Sequence, residues 1–196
     1  MRHDIRLHGH AFRLRPVEER DAHYIVALRA QRAQFLNRGA TSVAEQREWL
    51  ARYFERAGDY YFMVERIDDG SPQGLAGIYD VDRRSCSAEW GRWVIESGSS
   101  AAVESALLVY RCAFGPLALA SIRCRTLCAN AQVVAFHDSC GIPRRNGEVT
   151  VERDGKHGAG IEHVLRIGEW PAVEARLDRL AARAARAAAH TPPALP

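Results

Sequence analysis

The chain has 196 residues, 47% of them apolar, and a formal net charge of +3. That is enough apolar material for one α/β domain with a sizeable core, and too much for a disordered polymer. The small charge sets nucleic acid aside as a partner, and no apolar run approaches the roughly 18 residues of a membrane span, so no membrane association and a cytoplasmic location are expected.

All but one of the 27 basic side chains are arginine, Lys156 being the exception. The five cysteines, Cys86, Cys112, Cys124, Cys128 and Cys140, are odd in number and fall inside regular elements, where a thiol serves as a small hydrophobe. No Cys or His pairs stand at zinc spacing, so no metal is expected.

In chain order, Phe12-Arg13-Leu14-Arg15 alternates like a strand that Pro16 ends, and Asp21 is placed to cap a helix carrying Ile25 and Leu28. Ser42 and Glu45 form a capping box ahead of Trp49, Leu50, Tyr53 and Phe54, which predicts a second helix. Asp59 to Ile67 reads as a strand, Asp68 to Pro72 as its turn and Gly74 to Val81 as the returning strand. A third strand follows across Asp82-Arg83-Arg84.

The next strand, Ser85 to Ile95, breaks at Glu96-Ser97-Gly98-Ser99-Ser100-Ala101-Ala102, a run of small side chains. The period then changes: Val103, Ala106, Leu107, Tyr110, Ala113 and Phe114 recur at helical steps until Gly115-Pro116. Ser99 or Ser100 can cap this helix. Its first amides lack intrahelical partners and lie at the positive end of the dipole, where a phosphate could sit. Leu119 to Leu127 reads as a strand, and Asn130 opens a helix with Val133, Val134, His137 and Cys140 on one face, stopped by Gly141.

Glu148 to Arg153 and Gly160 to Ile167 alternate as strands around Asp154 to Gly158, and Trp170-Pro171 starts an Ala/Arg-rich helix that fades at Thr191-Pro192-Pro193. Arg176, Arg179, Arg183 and Arg186 form a stripe on that helix, read as a solvated face. The expected organisation is a domain over 1–168, a helix over 169–190 packed on it or on a second copy in a homodimer, and a flexible tail over 191–196.

The stretches Trp93 to Phe114 and Ile122 to Ile142 resemble the acetyl-CoA-binding core of the Gcn5-related N-acetyltransferases. The family turn, Arg/Gln-x-x-Gly-x-Gly/Ala, places Ser97 at its first position, Ser100 at the first Gly and Ala102, the one match, at the second. Asn130 falls on the family's Asn after the fifth strand, and His137 falls where the family has Tyr. The resemblance implies an α/β (α+β) fold with a mixed, mostly antiparallel central sheet flanked by helices, plus the extra C-terminal helix.

It also implies acetyl-CoA as co-substrate and a small-molecule amine as acceptor. Main-chain groups near Trp93, Val94 and Ile95 would pair with pantetheine. Gly98, Ser99, Ser100, Ala101 and Ala102 would cradle the pyrophosphate, with Asn130 and Phe136 also on the cofactor. Glu89 is the candidate general base, against a solvent-facing strand residue or a partner of Arg92 as the structural alternatives, and His137 is the candidate acid for the departing thiolate, against a helix histidine hydrogen-bonded in the core. Asn37 to Thr41 would border the acceptor pocket, and Trp49, Tyr53, Tyr60, Tyr61, Trp90 and Trp93 would suit a sugar or base. The segments Leu28–Gln31, Glu45–Phe54, Tyr60–Glu65 and Ala101–Leu108 look like enzymes that acetylate nucleotide-linked amino sugars. A peptide N-terminal acetyltransferase and a non-catalytic acyl-CoA-binding protein are the alternatives.

Overall fold

The structure is a computed structural model that describes residues 2–31, 33 and 36–189. The expected tail at 191–196, and the fading of the last helix at Thr191, fall outside the described residues. Among the described residues, eight strands form one sheet: β1 (Leu7–His8), β2 (Phe12–Pro16), β3 (Tyr60–Arg66), β4 (Pro72–Asp82), β5 (Ser87–Ile95), β6 (Ser121–Leu127), β7 (Val149–Arg153) and β8 (Lys156–Arg166). They lie in the order β1-β2-β3-β4-β5-β6-β8-β7, antiparallel throughout except for β5 and β6. The helices are α1 (Ala22–Ala30), α2 (Val43–Phe54), α3 (Ala101–Phe114), α4 (Ala131–Ser139) and α5 (Trp170–Ala189).

Helices cover both faces of the sheet, so β3 is buried along nearly its whole length and its alternation splits between two cores. Tyr60, Phe62 and Val64 pack with Leu107 and Leu108 of α3, whereas Tyr61 and Met63 pack with Ile25, Leu28 and Leu50 of α1 and α2. The last helix lies on α3. Val173, Leu177 and Ala181 are buried there, and Arg111 donates to Glu174 at 2.8 Å and to Asp178 at 3.0 Å. Its arginine stripe is exposed, as a solvated face requires.

Two local expectations change, and one element is added. Asp21 stands at the cap position of α1 but makes no capping bond, because Arg15 donates to both its oxygens at 2.7 and 2.8 Å and the Glu18 amide donates at 2.7 Å. Arg83 and Arg84 belong to the turn between β4 and β5, where Asp82 accepts from the Arg84 amide and the Ser85 hydroxyl, and the third strand starts at Ser87. Finally, the polar N-terminal stretch contributes β1, whose turn into β2 presses on α3. Buried Glu104 accepts the amides of Ala11 and Phe12 at 3.0 and 3.1 Å, and a Cβ on Gly9 would meet its Oε1 at 2.0 Å.

Candidate active site

Strands β5 and β6 begin as a parallel pair, Ser87 with Ser121, Ala88 with Ile122 and Glu89 with Arg123, and then part. A bulge in β5 accompanies the divergence: Gly77 faces Gly91 and Leu75 faces Val94, so the one residue between them on β4 meets two on β5. Arg92, in the bulge, has φ +49°. This left-handed conformation costs an ordinary residue roughly 1–2 kcal/mol. Its guanidinium donates to both oxygens of Asp59, at 2.5 and 2.9 Å, and lies 4.7 Å from the Tyr79 ring centroid, which holds it there.

Beyond the fork lies a cleft of about 1470 Å³. Trp93, Val94 and Ile95 line it from the strand that has lost its neighbour, Gly98, Ser99 and Ala102 from the turn, and Asn130 and Phe136 from α4. Glu89 and His137 also border it. Ser100 and Ala101 do not: Ser100 is the exposed N-cap of α3, and Ala101 is fully buried beneath the turn.

The turn has the shape of an anion cradle. Gly98 has φ +80° with open space where a Cβ would stand, and Ser100 keeps φ −80°, so a serine fits there without strain. Ser99 Oγ accepts the Ala101 amide at 3.2 Å, which leaves the following first-turn amides without an intrahelical acceptor. Asn130 stands at the N-cap of α4, and its side chain makes no capping bond.

One predicted partner and one expected charge state change. Glu89, 5% exposed, pairs not with Arg92 but with Arg125 at 2.6 Å and Arg123 at 3.3 Å, both through Oε2, while the Tyr79 hydroxyl lies 3.4 Å from Oε1. The parallel register puts β6 beside Glu89, and the bulge sends Arg92 to Asp59 instead. For His137, burial together with the neighbouring His163 pushes the imidazole down to about 3, so the imidazolium expected of a general acid is absent at neutral pH. Its Nε2 lies 3.4 Å from Cys124 Sγ, and its ring packs on Trp90 and Phe136.

The other half of the cleft is built by α1, α2 and the loop between them. Asn37, Arg38, Gly39 and Ala40 line it, whereas Thr41 does not and donates to Glu45, which does. Of the predicted aromatics, Trp49, Tyr61, Trp90 and Trp93 reach the cleft; Tyr53 and Tyr60 stay in the cores. Across the mouth, Asp154 at the β7–β8 turn accepts the Arg38 amide at 2.6 Å. Sequence reasoning did not single out Gln46, Arg123 or Arg125. The alternation of Ile122 to Thr126 does place both arginines on one face, but nothing local shows that Glu89 lies opposite.

A family model described as an acetyltransferase (GNAT) domain matches residues 12–142. The chain belongs to the GNAT acetyltransferase family. Among solved structures, it is similar to apo FdhC, described as a nucleotide-linked sugar GNAT, at 28% identity over 90% of this chain and 98% of that one, with a TM-score of 0.74. It also shares the fold of the spermidine N-acetyltransferase from Vibrio cholerae in complex with CoA and spermine, at 19% identity over 82% and 98% of the two chains, with a TM-score of 0.72. No curated protein matches it. In this GNAT chain the fork, the small-residue turn and the start of α4 border one continuous cleft, and among the described residues no helix is long and apolar enough to cross a membrane.

Proposed function

We propose that this protein transfers an acetyl group from acetyl-CoA to the primary amine of a small molecule, a nucleotide-linked amino sugar. The fork carries the transfer: past Glu89, the β6-facing edge of β5 is open to the cleft. Main-chain groups of Trp93, Val94 and Ile95 there hold the pantetheine arm, the first amides of α3 with Gly98 and Ser99 hold the pyrophosphate, and Asn130 and Phe136 flank it. When bound, acetyl-CoA supplies the acetyl group as a thioester. Glu89 takes the proton of the amine through water at Oε1, the oxygen outside the Arg123–Arg125 grip. His137, as a neutral imidazole, donates an N–H hydrogen bond to the departing sulfur, which leaves as the thiolate and takes its proton from water.

The acceptor class is supported by charge and by likeness. Arg38, Arg52 and Arg56 line the acceptor half together with Glu45 and Glu48, and among the described residues none of the three arginines is ion-paired to a carboxylate. Those guanidinium groups offer cationic partners to a phosphorylated acceptor, and the likeness to FdhC points the same way. Initial rates with a UDP-linked amino sugar, spermidine and a peptide with a free α-amine test this. Faster turnover of the sugar is the expected result, and faster turnover of the peptide or of spermidine would reject the acceptor class. Binding of acetyl-CoA with no transfer to any amine would identify an acyl-CoA-binding module instead.

A further inference from the structure

Gln46 lies on the buried stripe of α2 with Leu50 and Tyr53, where periodicity asks for an apolar residue. It is 4% exposed, and its backbone amide donates to Ser42 at 3.0 Å. The side-chain carboxamide, by contrast, has no hydrogen-bond partner among the described residues. It is also not sealed in the core as the ring nitrogens of His3 are, because the residue lines the cleft. A nearly buried amide with no protein partner must be satisfied from the cleft side.

Its surroundings define what can satisfy it. Trp49, three residues on, has Arg92 and Arg56 at 5.6 and 5.8 Å from its ring, and Arg52 lines the same wall with Glu45 and Glu48. A polyamine entering here offers N–H donors to the carboxamide oxygen alone, so the carboxamide N–H groups stay unmatched. An amine that carries hydroxyl, carbonyl or phosphoryl oxygens supplies the acceptors.

We propose that Gln46 is a specificity-determining residue of the acceptor site, donating its carboxamide N–H to an oxygen of the acceptor and thereby selecting an oxygen-rich amine over a polyamine. This rests on the acyl-transfer reading above. The test compares the full chain with Gln46→Leu, which keeps the size and removes the polar group, and Gln46→Glu, which removes the N–H and adds charge. For each, kcat and KM are measured with a UDP-linked amino sugar, spermidine and acetyl-CoA, together with Tm and the calorimetric affinity for the UDP-linked sugar.

Gln46→Leu should raise KM for the sugar about tenfold, leave kcat and the acetyl-CoA KM unchanged and keep or raise Tm; Gln46→Glu should shift preference toward spermidine. An unchanged sugar KM in Gln46→Leu, with wild-type transfer intact, overturns the proposal alone. So does a fall in Tm that accompanies a raised acetyl-CoA KM, since the amide would then be structural. If wild type transfers to no amine, the acyl-transfer reading has failed, and affinity decides the remainder. Weaker sugar binding by Gln46→Leu still supports Gln46, while equal or absent binding overturns it.

Discussion

His137 is 2% exposed between Trp90, Trp93 and His163, and burial first, then His163, depresses its imidazole to about 3, with Asp138 opposing. The unfolded chain binds that proton near pH 6.5, so between about 6.5 and 3 the unfolded state holds more protons than the folded one. Stability is therefore complete above the unfolded value and falls on acidification, by about 1.4 kcal/mol per pH unit within that window. His3, also depressed by burial, adds in the same direction. Urea unfolding from pH 7.5 to 4.5 should show this acid limb, and His137→Gln should flatten it; an unchanged slope would mean that the imidazole is not held neutral. Glu89 and Arg92 show the same dependence on surroundings. The sequence places them three apart in one strand, and the bulge gives them unrelated partners.

The first turn of α3 has two tasks. Its buried Glu104 ties the β1–β2 turn through two backbone amides, so the helix is fixed against the sheet before its N-terminus meets any ligand. At that N-terminus, Ser100 is exposed and its side chain makes no capping bond. A carboxylate at this point is favourable to the helix dipole by a few tenths of a kcal/mol, roughly 0.3–1, yet repels a pyrophosphate on the adjacent amides. Ser100→Glu should therefore keep or slightly raise Tm while weakening acetyl-CoA binding roughly tenfold or more in calorimetric titration. Equal affinity in the variant would show that the turn joins β5 to α3 without holding the cofactor. Residues 96–102 carry no basic side chain, so backbone geometry bears the role of the cradle.

At the scale of the molecule, a cofactor bound as proposed across β5, α3 and α4 would link both arms of the fork, and binding to the folded state alone would stabilise it by about 2.7 kcal/mol at one hundred times Kd. Thermal unfolding with that excess of acetyl-CoA should shift Tm upward by roughly 5–10 °C, and no shift would contradict a cofactor cleft. Element order, helix faces and the small-residue turn were legible in the sequence because each depends on local period and on backbone allowance: Val103 to Phe114 repeats at helical steps whatever lies beside it, and Gly98 is free to turn. The sequence could also propose roles for Asn130 and His137 by resemblance, and both residues border the cleft. It could not foresee that Glu89 faces Arg123 and Arg125, that Asp21 serves Arg15 rather than α1, or that Gln46 turns an unpartnered amide to the cleft. Those facts depend on which strands become neighbours and where they separate, and long-range register and desolvation are properties of the assembled sheet, not of any segment read alone.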